Sequence, residues 1–515
     1  MRPEDPKNDD APQPSGISRR QFLRTAVVGS ISVAGSALAL TACGPAPTAT
    51  APTAAAPTAA PATTAATTAA TTAATTAAAP TAPAVSSGAK ISIPLFTTEN
   101  DPNTLDFYKR SIASFQKQNP DIDVAVTLYQ DETQVQYLTT AFQTGTDLGI
   151  FAPPPSFIAE WARAGDLLSL DPLIQKIGAS DFLKGTRVTV DGKDYAMPFQ
   201  SNASALWVRK DLIEAEGLKL PTTYEDYLAI AKTFHGKDGM VGVSTGVGTV
   251  PQLTLQYFSP FIYQSGWDYF DKQGNLTFDK PEVLDAVKRF SELLKYASPG
   301  LYNATYPDIL NTFIAGRSPL GTFPGRLGVN LAAKAPDIAA KTTVVPIPAG
   351  PFQTGNLFFG GIQHYVVSSK TAHPAEALAF LEHLTTGERS LDFAMTVPGH
   401  LLPPLESVRK LVPNYKSDFM SKYGDWVTTL LKLAPNAQSP ALSMGSVNNK
   451  KYEKISNVCP WGSQIWGGSQ IDGTLFQEIL INGKDPEAAW IAASAQLKAA
   501  AEKWKQENPS WKPVA

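Results

Sequence analysis

Residues 90–129 read KISIPLFTTENDPNTLDFYKRSIASFQKQNPDIDVAVTLY, and their alternation decides the fold class. Residues 90–96 read as a strand. Residues 104–118 place Leu105, Tyr108, Ile112 and Phe115 three and four apart on one face, the pattern of an amphipathic helix. Residues 123–129 are a second strand. Residues 134–143 form a further helix, and residues 148–152 a short buried strand that runs into Pro153-Pro154-Pro155. A β-α-β-α-β order predicts a parallel sheet with helices on its faces. Ligands of such sheets collect beyond the carboxyl ends of the strands, here around Thr97, Tyr129 and Phe151.

Upstream lies SRRQFLRTAVVGSISVAGSALALTACG, residues 18–44. Arg19 and Arg20, followed by Phe22 and Leu23, form the twin-arginine pattern of bacterial export signals. The weakly apolar run that follows, about 16 residues, is shorter than the ~20 of a membrane-spanning helix, which favours a removable signal. Leu40-Thr41-Ala42-Cys43 resembles the lipobox of bacterial lipoproteins, in which the cysteine is lipidated and becomes the mature N-terminus. The alternative is an ordinary signal peptide with an incidental cysteine. Residues 1–42 are therefore expected to be a signal peptide. Residues 43–88, nearly all Ala, Thr and Pro, are expected to be a disordered tether with too little large apolar surface to fold. As a coil such a tract spans roughly 35–40 Å.

The remaining stretch, about 425 residues, is too long for one core and suits two lobes. A formal net charge of -3 gives no reason to expect nucleic acid. Cys43 and Cys459 are the two cysteines of the chain, so an exported body would rely on core size and not on disulfides. His235, His364, His373, His383 and His400 show no metal-ligand spacing. No G-x-S-x-G elbow, phosphate-binding loop or dinucleotide fingerprint appears, so neither cofactor nor metal is expected. Paired carboxylates for glycoside hydrolysis stay open, because their separation is a spatial quantity.

A run of segments then becomes informative in its order and spacing. FQKQNPDIDVAV, AFQTGTDLGIF and AGDLLSLDPLI are followed by DGKDYAMPFQSNASALWVRKDLIEAEGLKLPTTYEDY. FIAGRSPLGTFPGR, VVPIPAG, GGIQHYVVSS, AHPAEALAFLEHLTTGE and FQEILINGKDPEAAW come after them. Together, over residues 90–504, they resemble the family 1 extracellular solute-binding proteins, the maltose-binding-protein-like receptors of ABC importers. Trp207-Val208-Arg209, Thr146-Asp147 and Arg326 depart from the family's usual residues. The resemblance implies an α/β, two-lobed periplasmic-binding-protein-like fold of type II, with the ligand cleft between lobes. It implies lobe 1 from residues 89–198 plus 325–384 and lobe 2 from 199–324 plus 385–515. Crossings are expected near Met197–Gln200 and Phe323–Arg326. Gly360-Gly361 is expected where the backbone bends or approaches something closely. The implied function is a monomeric, membrane-anchored receptor that captures a sugar without altering it and hands it to an ABC permease.

Sugar recognition uses flat rings against C–H faces and planar polar groups against hydroxyls. The expected ligand-binding residues are Thr98 and Glu99 after the first strand, and Asp147 and Phe151 about the third. Gln200 and Asn202 stand at the first crossing, and Gln256 and Tyr257 on a helix facing the cleft. Phe323 and Arg326 stand at the return crossing, with Phe359 and Gly360 beyond it, and Trp461 and Trp466 lie in the loop PWGSQIWGG. Phe151 and Phe359 also suit a core, Asp147 a turn, and Arg326 an ion pair with a structural carboxylate. The Gly- and Pro-rich setting of Trp461 and Trp466 favours exposure in the cleft. Trp161, Trp207 and Trp490 read as core.

Overall fold

Eleven strands are formed among the described residues: β1 (Ile91–Thr97), β2 (Ile122–Leu128), β3 (Ile150–Phe151), β4 (Val188–Val190), β5 (Lys193–Ser201), β6 (Ala205–Arg209), β7 (Leu320–Phe323), β8 (Thr342–Val345), β9 (Phe358–Phe359), β10 (Ile362–Val367) and β11 (Ala437–Gln438). The computed structural model describes residues 90–130, 133–250, 252–351, 358–440, 444 and 459–513, which belong to the unit Pro83–Ala515. The expected signal peptide with Arg19 and Arg20, the lipid site Cys43 and the tether lie outside the described residues.

The first sheet has the order β2-β1-β3-β10-β5-β4. β1 pairs in parallel with β2, Ile91 opposite Ile122 through Thr97 opposite Leu128, and with β3 on its other side. The crossover helix Pro102–Gln116 has proline in its first turn, where the missing N–H costs nothing. It buries Thr104, Phe107, Tyr108, Ser111 and Phe115, while Leu105 and Ile112 are half-buried at the rim. The sheet thus takes a face turned slightly from the expected one, because Phe107 supplies more apolar area than Ile112. One face of the sheet buries Ile93, Leu95, Phe107 and Phe380; the other buries Phe96, Leu138, Phe151 and Trp161.

The second sheet, β7-β6-β8, is antiparallel. Trp207 at its centre is fully buried. Its Nε1 donates to the Phe323 carbonyl at 2.8 Å, and its ring meets Trp426 edge-on at 5.2 Å. A second core gathers here around Trp207, Phe258, Phe290, Phe476 and Trp504. Cys459 is buried in it. Trp490 is partly buried against it, with Nε1 donating to the Phe278 carbonyl at 2.8 Å.

The lobe boundaries differ from the expected ones in three places. Met197–Gln200 is not a crossing but part of β5 in the first sheet; Pro198 lies opposite His364 beside a register shift, a place where a strand tolerates proline. The crossing follows at Asn202. Residues from Arg326 to Val345 do not return to the first lobe at residue 325. Leu327 and Leu331 pack in the second core, and β8 pairs with β6. The chain re-enters the first sheet only at β10. Finally Phe393, Val397, Leu401, Leu405 and Val408, assigned above to lobe 2, pack in the first core. The first difference comes from reading Pro198 as a break when the strand runs through it, and the other two share a cause: apolar segments carry no mark of which of two cores they cover.

Candidate ligand-binding site

The loop beyond β1 carries two acids. Glu99 is 5% exposed, and its amide donates to Thr97 Oγ1 at 3.2 Å. Its carboxylate accepts from Arg326 Nη2 at 2.9 Å and from Gln200 Nε2 at 3.2 Å. Arg326 also bonds Asp101 through Nη1. Arg326 opens the helix Arg326–Lys334, which is anchored in the second core, so this cluster joins the two cores. Burial holds the Glu99 carboxyl above its ordinary range, with Arg326 pulling the other way. Two carboxylates already surround the guanidinium, so its charge is matched from within the chain.

Three passages of chain meet beside this cluster. Asn202 N donates to the Gly361 carbonyl at 2.8 Å, and Gly361 N donates to Asn202 Oδ1 at 2.9 Å. Ser201 N donates to the Leu402 carbonyl at 2.8 Å, bringing in the third passage. Gly360 is the close-approach glycine: a Cβ there would lie 2.2 Å from Ala437 Cβ. Its N–H donates to the Gln438 carbonyl at 2.9 Å, and Gln438 is itself buried.

The second-core wall is built on the helix Leu253–Tyr263, every residue of which is buried, Gln256 among them. Tyr257 stands 6.4 Å from Phe323 between ring centroids, and burial pushes its phenol well above the usual value. The expected exposure of Trp461 and Trp466 is not found: they are 0% and 1% exposed. Their Gly-rich loop winds into a π-helix, Ser463–Ser469, a form that recurs at functional sites. Trp461 packs among Phe270, Trp504 and Trp511, and Trp466 meets Tyr269 edge-on at 5.4 Å. The first-lobe turn Pro155–Phe157 lies against this π-helix, with the Ser156 carbonyl 3.5 Å from where a Gly462 Cβ would sit. Trp466 therefore belongs to the seam between the lobes.

Some of the buried polar atoms that lack a hydrogen-bond partner among the described residues stand at these positions, with others elsewhere, such as Ser291 Oγ and Ser494 Oγ. Gln200 Oε1, Gln256 Nε2, Gln438 Oε1, Trp461 Nε1 and Trp466 Nε1 are buried and lack a hydrogen-bond partner among the described residues. Leaving one such group unpaired costs about 1–3 kcal/mol, so folded proteins keep few without a reason. A polyhydroxylated molecule would supply the missing partners.

Several expected residues stand elsewhere. Asp147 precedes β3, at the end of the strand away from the site. It caps its own turn, accepting from Gly149 N at 2.7 Å and from Thr371 and Ala372. Phe151 is fully buried against Phe142 and Trp161 and has no surface to offer. Thr98 is half-buried beside Glu99. Phe323 is buried, and its carbonyl serves Trp207. The backbone of Phe359 pairs with Gln438, while its side chain lies outside the described residues. Sequence reasoning passed over Asp101 and Gln438. For Asp101 the signal was its place two residues after Glu99; Gln438 carried none. Among the described residues, no group of three or more His, Cys, Asp or Glu side chains is placed to hold a metal ion.

Comparison with known proteins bears on this geometry. Residues 101–388 match the family model of the bacterial extracellular solute-binding protein. A putative ABC transporter periplasmic-binding protein of Escherichia coli, YcjN, is 20% identical over 431 residues, 80% of this chain and 95% of that protein. An arabinooligosaccharide-binding protein of Halalkalibacterium halodurans is 24% identical over 348 residues, 64% of this chain and 75% of that one. Among solved structures, a Thermotoga lettingae ABC transporter solute-binding protein bound with alpha-D-tagatose superposes with a TM-score of 0.65 at 21% identity, covering 80% of this chain and 100% of its own. The maltose-bound T. maritima MalE3 gives 0.65 at 20% identity, covering 79% and 99%.

Proposed function

Since the chain belongs to the bacterial extracellular solute-binding protein family, we propose that it is the receptor of an ABC importer and that its solute is a neutral carbohydrate or polyol. The observation that carries this reading is the group of buried, unpartnered polar atoms on Gln200, Gln256, Gln438 and Trp466, drawn from both sides of the seam. Hydroxyls donate and accept in any direction, which suits a wall that presents two amide oxygens, an amide nitrogen and an indole N–H together. Arg326 has its charge matched by Glu99 and Asp101, which disfavours a phosphorylated solute. Two relatives are named for their solutes, an arabinooligosaccharide-binding protein and a mannitol-binding protein.

In this reading the solute bridges the two lobes and shifts the receptor toward a closed form, which docks on the permease. No cofactor takes part, and the solute leaves unaltered. Arg19 and Arg20 direct export, Cys43 carries the lipid, and residues 44–88 tether a monomeric body outside the cell membrane. The anchor raises the local concentration of receptor at the permease.

A thermal-shift screen against arabino-oligosaccharides, maltose, D-tagatose, ribitol and D-mannitol tests the function, because a ligand that binds only the folded state raises the unfolding temperature. One or more members should raise it and be recovered intact by chromatography. No shift with any member, or recovery of a cleaved product, contradicts the receptor reading. The anchor is tested apart: Cys43→Ala should release the exported protein from the membrane fraction.

A further inference from the structure

We propose that Asp472 is a further solute-contacting residue of this site, its carboxylate accepting hydrogen bonds from the hydroxyls of a neutral sugar or polyol at the second-lobe wall. The inference rests on the site reading above. Asp472 stands in the first turn of the helix Ile471–Leu480, directly after the π-helix that carries Trp466. It is 4% exposed, and its Oδ2 has no hydrogen-bond partner among the described residues. An aspartate at a helix start ordinarily faces water, where the helix dipole favours it and hydration is kept. Sinking the carboxylate without satisfying both oxygens is costly.

Its surroundings point to a ligand. Tyr269 is close enough for the Asp472 charge to help raise its phenol, after burial, and Asp268 adds to the same effect. The Tyr269 ring stands edge-on to Trp466 at 5.4 Å. Both rings are buried, Tyr269 stacking on Phe278 at 5.2 Å, so the unpaired Oδ2 beside Trp466 is the group left for a solute hydroxyl. Burial raises the Asp472 carboxyl to about 6, the amides of Gly473 and of Asp472 itself opposing it. Such a shift is common where a carboxylate is kept for a task. A solute hydroxyl donating to Oδ2 would stabilise the ionised form.

Calorimetric titration of the full chain with the same five carbohydrates and polyols tests this, using the wild type, Asp472→Asn and Asp472→Ser. Asn keeps the shape and loses the charge; Ser keeps a polar oxygen and loses both the charge and the reach. For whichever member binds the wild type, both variants should bind at least tenfold more weakly, the loss expected of a charge-assisted bond. Their ligand-free unfolding temperature at pH 7.5 should equal or exceed that of the wild type, which a merely structural aspartate would not allow. Affinity within twofold of the wild type, in either variant that folds, overturns the role of Asp472 and leaves the receptor reading intact. A lowered unfolding temperature in both variants overturns it too. If no member binds the wild type, the receptor reading falls and this inference falls with it.

Discussion

Arg326 Nη2 lies 2.9 Å from Glu99 Oε2, an ion pair between a helix anchored in the second core and a loop of the first sheet. Glu99 is buried, and removing its cation would leave a desolvated carboxylate unmatched. Arg326→Met should therefore destabilise the protein by roughly 2–3 kcal/mol at pH 7.5, discounted for the partial exposure of the arginine. The sign with pH follows. Glu99 already titrates above its ordinary value in the folded protein, and losing Arg326 raises it further. Its ionisation then opposes folding, so the deficit of the variant should shrink as pH falls from 7.5 to 5. Urea unfolding at the two pH values reads this; an unchanging deficit contradicts it.

Gly360 admits no side chain without movement. Its Cβ would sit 2.2 Å from Ala437 Cβ and 2.8 Å from the Asn202 carbonyl, where the chain passages meet. Gly360→Ala should cost about 1–3 kcal/mol through overpacking. It should also weaken solute binding, because Asn202 and Gln438 would shift with it. Denaturant unfolding and calorimetry check both effects, and wild-type values would remove Gly360 from the crossing.

His364 is buried in β10, its Nε2 donating to the Thr186 carbonyl at 2.7 Å. Burial lowers it to about 4, with the Thr186 carbonyl opposing. The unfolded chain protonates near 6.5 and the folded one does not, so stability is lost as pH falls from about 6.5 to 4. The loss approaches about 3 kcal/mol at the acid end. His364→Gln should flatten this slope relative to the wild type, measured by urea unfolding at pH 7.5, 5.5 and 4.5. An equally steep slope in the variant would place the acid sensitivity elsewhere.

A matched Arg326 also makes a statement about solute charge. Phosphorylated forms should bind at least tenfold more weakly than the parent sugar or polyol, since Glu99 and Asp101 repel them. Mannitol against mannitol 1-phosphate is the comparison to make by calorimetry. Tighter binding of the phosphate would show that Arg326 leaves its carboxylates for the ligand.

The parallel core of the first sheet was legible because strand and helix alternate with clear periods through residue 152. The place of Glu99 just after the first strand and the close approach at Gly360 were legible as well, since strand ends and tight glycines are set by local chain direction, whereas the crossing read at Met197–Gln200 was not, because β5 runs on to Ser201. The lobe membership of residues 326–345 and 387–408 was not, because Leu327, Leu331, Phe393 and Leu401 are equally apolar whichever core they cover. Asp147 and Phe151 misled for a related reason: a conspicuous residue near a strand is not thereby at its carboxyl end facing the seam. The burial of Trp461 and Trp466 depended on partners distant in sequence, Phe270, Tyr269, Trp504 and Trp511. Glycines around an indole predict a loop, and they do not say what covers it.

The most direct measurement is calorimetric titration of wild type and Gln256→Ala with the carbohydrate that raises the unfolding temperature most. The account predicts one solute bound per chain, recovered unchanged, with at least a tenfold loss of affinity in the variant as a buried amide loses its ligand hydroxyl. Equal affinity in the two proteins, or no heat from any carbohydrate, would contradict it.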